Sequence, residues 1–173
     1  MLTPLMKPRE WEFMKPYLKQ DMVMLEYGSG QSTEIFAKLV KTLYSIEHHK
    51  RWYEQVQPSL VFHMNVHYIH IPPNDNNFLP YGPSKPEWFK DYINWPKKQS
   101  QMFDVVFIDG RARQYVAESI IDNITSDSLV FLHDYTNGWP EDYPAKKRPR
   151  YDRVLEFYDI VDAVHTLALL KKK

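Results

Sequence analysis

The stretch MVMLEYGSG, residues 22–30, and the QSTEIFAKLV that follows it, residues 31–40, decide the fold of this chain. Residues 22–27 form a short apolar run, as expected for a buried strand, and Gly28 and Gly30 follow it at once. In the second half, apolar residues repeat at the spacing that places them on one face of a helix: Ile35, Phe36, Leu39 and Val40. A strand, a glycine turn and a helix in this order predict one unit of an α/β sheet.

The same alternation of apolar runs and amphipathic stretches continues outward along the chain. Further strands are predicted at residues 42–47, 65–71, 103–109 and 128–134, and helices at residues 50–56, 88–95 and 112–124. Residues 158–164 and 166–170 predict a closing antiparallel hairpin around His165. The pattern therefore predicts an α/β protein with a mostly parallel, twisted sheet and helices on both of its faces.

The length of the chain sets its expected organisation. A chain of 173 residues suits a single domain over residues 1–173, in which residues 1–20 form an N-terminal helical cover on a core of residues 21–173. Two long loops, residues 72–87 and 134–150, are expected within this core, and the first of them contains five prolines. These loops are expected to surround the ligands, because a chain of this size has no separate recognition domain.

Composition excludes several classes of function. Lys plus Arg and Asp plus Glu both count 22, so no basic field attracts nucleic acid, and no Asn/Asp-Pro-Pro-Tyr/Phe tetrad follows the fourth strand. The absence of cysteine excludes disulfides, thiolate metal sites and a cysteine nucleophile. No apolar run is long enough for a membrane span or a secretory signal, so we expect a soluble, intracellular and cytoplasmic protein. The sequence does not indicate an oligomeric state.

The glycine turn and a later acid indicate a nucleoside ligand. Ligands of an open α/β sheet bind at the carboxyl ends of the strands, where a helix N-terminus offers unpaired N–H groups. Glu47 ends the second predicted strand about 20 residues after the glycine turn, where such folds bind the two hydroxyls of a ribose. The alternative for Glu47 is a surface acid before a helix. Thr33 stands where a nicotinamide dinucleotide fingerprint has its third glycine, and the chain has no P-loop motif.

These strand ends resemble the motifs of a known superfamily. Glu26-Tyr27-Gly28-Ser29-Gly30 resembles motif I of class I S-adenosyl-L-methionine-dependent methyltransferases, Ser45-Ile46-Glu47-His48 resembles their second motif, and residues 103–110 resemble their fourth. The strings YGSGQST, SIEHHKRWYE, FIDGRAR and FLHDY look closest to small bacterial and viral methyltransferase-like proteins and to plant enzymes that methylate glucuronic acid in xylan. The resemblance implies a Rossmann-like methyltransferase fold.

The resemblance also implies an activity. It implies transfer of a methyl group from S-adenosylmethionine to a hydroxyl of a sugar or glycan. A phenolic O-methyltransferase and a non-catalytic cofactor-binding or scaffold protein of the same fold are the alternatives. The non-catalytic alternative predicts a blocked or empty cofactor pocket and no effect of replacing Asp109.

Cofactor contacts follow from the same resemblance. The backbone from Tyr27 through Gly28 and Ser29 to Gly30 would face the methionine part of the cofactor, and Glu26 would hold its amino group directly or through water. Glu47 would bind the ribose, and His48 would lie beside the adenine. Ser32 and Thr33 would either touch the cofactor carboxylate or only cap the helix.

Three titratable residues follow the fourth and fifth predicted strands. If these strands are neighbours, Asp109, His133 and Asp134 converge beside the cofactor methyl group. Either Asp109 or His133 is a general base for an acceptor hydroxyl, or all three bind a divalent cation such as Mg²⁺ or Mn²⁺. The second arrangement resembles the cation-dependent catechol-type O-methyltransferases, with a His-Asp pair in place of their acid–amide pair. The structural alternatives are a helix cap for Asp109 and a hydrogen-bonded core residue for His133.

Four further residues are candidates for contact with the acceptor. Arg111 and Arg113 follow Gly110 and would orient the acceptor or bind an anion, because a guanidinium binds carboxylates with two hydrogen bonds. Their alternative is a salt bridge from the helix start to Asp134 or a nearby acid. Arg150 and Tyr151 close the basic run of residues 146–151, which would either shape the acceptor site or form a solvated surface.

Overall fold

A seven-stranded sheet forms the centre of the computed structural model, which describes residues 6–75, 85–135 and 151–173. The strands are β1 (Val23–Tyr27), β2 (Thr42–Glu47), β3 (Val66–His70), β4 (Val105–Ile108), β5 (Leu129–Leu132), β6 (Tyr158–Val164) and β7 (Leu167–Lys172). Their order across the sheet is β3-β2-β1-β4-β5-β7-β6. Strands β1 to β5 pair in parallel, and β7 is antiparallel to both of its neighbours. The predicted mostly parallel sheet with a C-terminal antiparallel hairpin is confirmed.

Within the described ranges, five short α-helices connect or cover the strands. They are α1 (Pro8–Met14), α2 (Gln31–Leu39), α3 (Lys50–Val56), α4 (Lys90–Asn94) and α5 (Arg113–Ser119). Two predicted helices are shorter than expected. The helix predicted at 88–95 begins as a 3₁₀ turn, Pro86–Phe89, because proline fixes the first turn, and only then becomes α4. The helix predicted at 112–124 ends at Ser119, and a 3₁₀ turn, Ile121–Asn123, follows it.

Two apolar layers lie on opposite faces of the sheet, because successive side chains of a strand point to opposite sides. Leu25 and Tyr27 of β1 belong to the layer that packs on α4 and α5. Met24 belongs to the other layer, with Phe107 and with residues of α1 and α2. Helices therefore cover both faces, as predicted. This alternation also decides which polar side chains at the strand ends can meet.

Parts of the two predicted loops lie outside the described residues, and so do Gly82, Gly138 and Arg150. Across the ranges that are described, no helix has the length and apolar character needed to cross a membrane. The turn of the β6–β7 hairpin lies at His165, as predicted, with a φ of 53°. Its neighbour Thr166 takes part in the site described below.

Candidate active site

The strand order reverses between β1 and β4. At such a point, an open α/β sheet binds its ligand along the edge formed by the carboxyl ends of its strands. Gly28 follows β1 with a φ of +89°. A Cβ on Gly28 would lie 2.7 Å from the Gly110 nitrogen and 2.9 Å from the Asp109 carbonyl carbon. Both the left-handed conformation and this close approach require glycine. The turn after β1 therefore rests directly on the backbone that follows β4.

Gly30, by contrast, has no such requirement. Its φ of −173° is ordinary extended backbone, and a Cβ there would meet nothing nearer than Ser32 Oγ and Trp52 Nε1, both at 4.0 Å. The Trp52 indole N–H donates a hydrogen bond to the Ser29 carbonyl, and this contact helps to hold the turn. A Cβ at Gly30 would thus make only ordinary van der Waals contacts with the described residues.

These two glycines make a matched pair of variants. We expect Gly28→Ala to lower the free energy of unfolding by about 2–4 kcal/mol, because it combines a strained φ with backbone overlap. Gly30→Ala should change it by less than about 1 kcal/mol. Urea unfolding of both variants measures the difference, and equal losses would contradict this account of the turn.

Glu26 is a fully buried carboxyl group that ties β1 to the helix that follows. Its oxygens accept hydrogen bonds from the hydroxyls of Ser32 at 2.9 Å, Thr33 at 2.8 Å and Ser45 at 2.6 Å. Thr33 Oγ1 also accepts from the Gly30 N–H at 2.9 Å, as a residue of the first helical turn does in a capping box. Thr33 thus makes the helix-capping contact that was one of its two alternatives, whereas the Ser32 hydroxyl bonds to Glu26. The contact predicted between Glu26 and the cofactor amino group remains a prediction.

Burial raises the pKa of Glu26 to about 7, although the three hydroxyls oppose the shift. Between pH 4.5 and 7 the folded protein then binds more protons at this residue than the unfolded chain does, so this group's contribution to stability falls as the pH rises. Glu26→Gln removes the titration. Relative to the wild type, the variant should gain about 3 kcal/mol of unfolding free energy between pH 5 and pH 8. Ligand-free urea unfolding at several pH values tests this, and a pH-independent difference would contradict it.

Glu47 connects the end of β2 to the glycine turn. Its Oε2 accepts from the backbone N–H of Ser29 at 3.0 Å and from Ser29 Oγ at 3.2 Å, and its Oε1 accepts from the His49 N–H at 2.7 Å. Burial opposes ionisation, but His48, whose Nδ1 lies 3.0 Å away, and these N–H groups outweigh it and lower the pKa of Glu47. Ser29 Oγ has a second partner, the Tyr68 hydroxyl at 2.7 Å. An ionised acid therefore lies beside the turn, where the ribose-binding residue was predicted.

His48 extends this part of the edge toward α4. Its ring makes edge contacts with Phe89 and Tyr92, with ring centroids 5.6 Å and 5.8 Å away. These aromatic rings lie next to Glu47, where the resemblance implies that His48 borders the adenine. The adenine contact itself remains a prediction.

The structure brings Asp109, His133 and Asp134 together. Strands β4 and β5 are neighbours, as that prediction required, and one ligand atom from each residue lies within 4.8 Å of the others. His133 Nδ1 is 2.9 Å from Asp109 Oδ1 and 3.6 Å from Asp134 Oδ1. The two aspartate side chains are 35% and 38% exposed, so the cluster is open to a ligand. Asp134 has a φ of 55°, a strained conformation of the kind found at functional sites.

Arg113 packs behind this cluster. It donates from Nε to the Gly110 carbonyl at 2.9 Å, from Nη1 to the His133 carbonyl and Asp134 Oδ2, both at 2.6 Å, and from Nη2 to the Asp109 carbonyl at 3.1 Å. Nη2 is also 3.1 Å from Asp109 Oδ1. The salt bridge to Asp134, one of the two alternatives for this arginine, is present. The guanidinium joins the ends of β4 and β5.

Glu10 is a site residue that sequence reasoning missed. Its Oε2 lies 3.2 Å from His133 Nε2, on the side of the ring opposite Asp109. Its Oε1 accepts from the Thr166 N–H at 3.1 Å and from Thr166 Oγ1 at 2.7 Å. A signal was available: Met6, Glu10 and Met14 are spaced four apart, so an acid interrupts an apolar helical stripe.

The charge around His133 fixes its protonation. Burial alone would lower the pKa of His133, but the carboxylates of Asp109, Asp134 and Glu10 outweigh burial and raise it to about 9. At neutral pH the ring is therefore an imidazolium, with an N–H facing acids on both sides. In this state it has no lone pair with which to accept a proton.

The remaining acceptor candidates lie at the rim of the cluster. Arg111 is half-buried directly after Gly110. Tyr151 is half-buried and stacks on Tyr135, with centroids 6.0 Å apart and an interplanar angle of 18°. Arg150 lies outside the described residues. Contact of these side chains with an acceptor remains a prediction.

Comparison with solved structures agrees with this architecture. A methyltransferase-like protein from Silicibacter pomeroyi DSS-3 superposes with a TM-score of 0.74 and 24% sequence identity, covering 99% of this chain and 88% of that chain. A protein from Staphylococcus aureus, provisionally assigned as a caffeoyl-CoA O-methyltransferase, gives a TM-score of 0.64 at 14% identity, over 99% and 86% of the two chains. An rRNA methylase from Streptococcus thermophilus gives 0.58 at 13% identity, over 98% and 99%.

These likenesses define the fold. No protein-family model matches the chain, and no curated protein matches its sequence. The sheet order and the C-terminal hairpin are those of the structural neighbours, so the chain has the Rossmann-like fold found in class I methyltransferases. Neighbours named for different substrates share that fold, so the fold alone does not specify an acceptor.

Proposed function

We propose that this protein is an S-adenosylmethionine-dependent methyltransferase that transfers the methyl group to an oxygen. The observation that carries the proposal is the contact of the Gly28 turn with the backbone of Asp109 and Gly110 at the point where the strand order reverses. This contact places the proposed cofactor turn beside the cluster of Asp109, His133 and Asp134. A donor and an acceptor group could therefore be held side by side.

The residues around the turn suit the cofactor. Gly30 has no side chain, so the methionine part would lie against bare backbone there. Ionised Glu47 would accept hydrogen bonds from the ribose hydroxyls. Ser29 Oγ, which now contacts Glu47 Oε2, could bond to the Tyr68 hydroxyl instead and so leave that oxygen to the ribose. His48 would border the adenine. Glu26, which is fully buried, would act on the cofactor through the helix start that it holds.

The chemistry proposed is a direct displacement. The acceptor oxygen forms a bond to the methyl carbon as the bond from that carbon to the sulfonium breaks, and S-adenosylhomocysteine leaves. The protein contributes alignment of the two reactants and a base for the hydroxyl proton. Because His133 is an imidazolium at neutral pH, we assign the base to Asp109, whose side chain is 35% exposed. Arg113 and His133 hold this carboxylate in place.

A divalent cation would fit the same cluster. Two carboxylates and one imidazole that has lost its extra proton are ligands that Mg²⁺ or Mn²⁺ accepts, and Asp109, His133 and Asp134 present them within reach of one another. When bound, the ion would lower the pKa of an acceptor hydroxyl. Arg113 already contacts both aspartates and opposes a second positive charge there. Transfer assays with and without a chelator test whether the cation is required.

For the acceptor we propose a hydroxyl of a sugar or glycan. The support is the resemblance of the strings FIDGRAR and FLHDY to polysaccharide-modifying methyltransferases, together with the arginine and tyrosine side chains at the rim of the cluster. A phenolic acceptor is the second candidate. The stacked pair of Tyr135 and Tyr151 beside Arg113, and the likeness to a provisional caffeoyl-CoA O-methyltransferase, favour it.

One set of measurements tests these proposals in order. S-adenosylhomocysteine should raise the melting temperature of the wild type and have little effect on Glu47→Ala, with Glu54→Ala on the exposed face of α3 as the control. The wild type is then incubated with labelled S-adenosylmethionine and panels of glycans and phenols, with and without a chelator. No thermal shift would contradict the cofactor assignment, and transfer only to phenols would contradict the sugar acceptor. Transfer that survives chelation would leave Asp109 as a plain base.

A further inference from the structure

We propose that Glu10 is a positioning residue that holds the His133 ring with Nδ1 next to Asp109 and Asp134. This inference rests on the proposed function, since it gives His133 its place beside the methyl-transfer site. Glu10 is not part of the strand ends that form that site. It comes from α1, which packs on the outside of the sheet.

The geometry of the ring is two-sided. Nδ1 lies 2.9 Å from Asp109 Oδ1, and Nε2 lies 3.2 Å from Glu10 Oε2. If the imidazole ring rotated by half a turn about the Cβ–Cγ bond, both nitrogens would lose these contacts. A carboxylate on one ring nitrogen therefore fixes the direction in which the other nitrogen points, as it does for histidines at metal and catalytic sites.

The Glu10 carboxylate is also held by hydrogen bonds from residues other than His133. Its side chain is 1% exposed, and a buried carboxylate is costly unless it is paired. The Lys7 N–H donates to Oε2 at 2.9 Å, and two Thr166 donors hold Oε1. The carboxylate is thus held by α1 on one side and by the β6–β7 turn on the other. His133 receives a rigid partner.

The alternation of side chains along β5 explains why the two residues meet. Phe131 belongs to the apolar layer that α1 covers. His133 lies two positions further along the chain, so its side chain points to the same face of the sheet. Phe107 and Phe131 are register partners, and Asp109 and His133 come two positions after each of them. The sheet therefore directs His133 toward α1 and beside Asp109 at once.

The test measures an NMR signal of His133 Nδ1, the ring nitrogen that Glu10 does not contact. In protein labelled with ¹⁵N-histidine, the buried Nδ1 proton of His133 should give a resonance that is protected from exchange with solvent, assigned by its absence in His133→Asn. Glu10→Ala should lose this resonance to exchange with solvent, whereas Glu10→Gln, which retains an oxygen acceptor, should recover it. If Glu10→Ala does not fold, Glu10→Asp replaces it, because the shorter acid withdraws from the ring and should also lose the signal.

Thr166→Val is the matched control. It removes the bond from Thr166 Oγ1 to Glu10 but leaves the contact between Glu10 and His133, so the Nδ1 resonance should persist. In a transfer assay, the Glu10 variant should reduce kcat about 10-fold or more with little change in the KM for S-adenosylmethionine. Retention of the Nδ1 resonance in the Ala or Asp variant, or its equal loss in Thr166→Val, would overturn the proposal. These spectra need no cofactor, so a wild type that fails to bind S-adenosylhomocysteine would count against the proposed function alone.

Discussion

Arg113→Met is expected to lower the free energy of unfolding by about 3–5 kcal/mol, the largest loss of stability from a single side chain at this site. The arginine side chain is 15% exposed and binds three backbone carbonyls and two carboxylates at the ends of β4 and β5. Methionine fills a similar volume but donates no hydrogen bond. The variant therefore leaves acceptors and negative charge without a partner in a mostly buried place.

The control for Arg113 is Arg153→Met. Arg153 also forms a two-bonded ion pair, with Glu118, but its side chain is 47% exposed. Exposed pairs contribute little, so the loss there should stay below about 1 kcal/mol. Urea unfolding of both variants gives the comparison. Similar losses in the two would show that burial at the strand ends is not what makes Arg113 important.

Asp109→Asn should reduce methyl transfer about 10³-fold while leaving binding of S-adenosylhomocysteine within a few-fold of the wild type. Asparagine has the same shape, and its oxygen can still accept from Arg113, so the fold should be kept. What is lost is the negative charge that receives the hydroxyl proton, or that would hold a cation. Only the rate should therefore collapse.

Single-turnover transfer to the acceptor found in the panels measures this rate, and calorimetry measures the binding. Asp159→Asn is the control, since that aspartate is 72% exposed on β6, away from the site. A wild-type rate in Asp109→Asn would remove this residue from the chemistry. Binding of the cofactor by the wild type with no transfer to any acceptor in the panels would favour the alternative in which the chain binds the cofactor without turnover.

The fold could be predicted well from the sequence because local periodicity carries most of the information. The apolar run of β1 and the stripe of α2 each mark their element within ten residues, and the glycines mark the turn between them. The errors occurred where proline or a 3₁₀ turn shortened a helix, as before α4 and after α5. Periodicity indicates that a helix is present, but it marks helix ends poorly.

The site was predictable where it follows from topology and not where it depends on distant contacts. Asp109 and His133 could be placed together because the carboxyl ends of adjacent parallel strands share one edge. Glu10 could not, because it lies 123 residues from His133 in the chain and meets it only through packing of α1. The salt bridge of Arg113 to Asp134 was among its predicted alternatives, but its bonds to three backbone carbonyls depend on the exact neighbours of the guanidinium, which no spacing in the sequence reveals.

The contact of Glu10 with Thr166 has a consequence for how the protein folds during synthesis. His133 and Thr166, the partners of Glu10, are made 123 and 156 residues after it. Until β5 has joined the sheet and the β6–β7 turn has formed, the carboxylate on α1 has the neighbouring Lys7 N–H but neither of these partners. Contacts of such long range form slowly, so the proposed site should be the last part of the molecule to mature, after most of the sheet has already assembled.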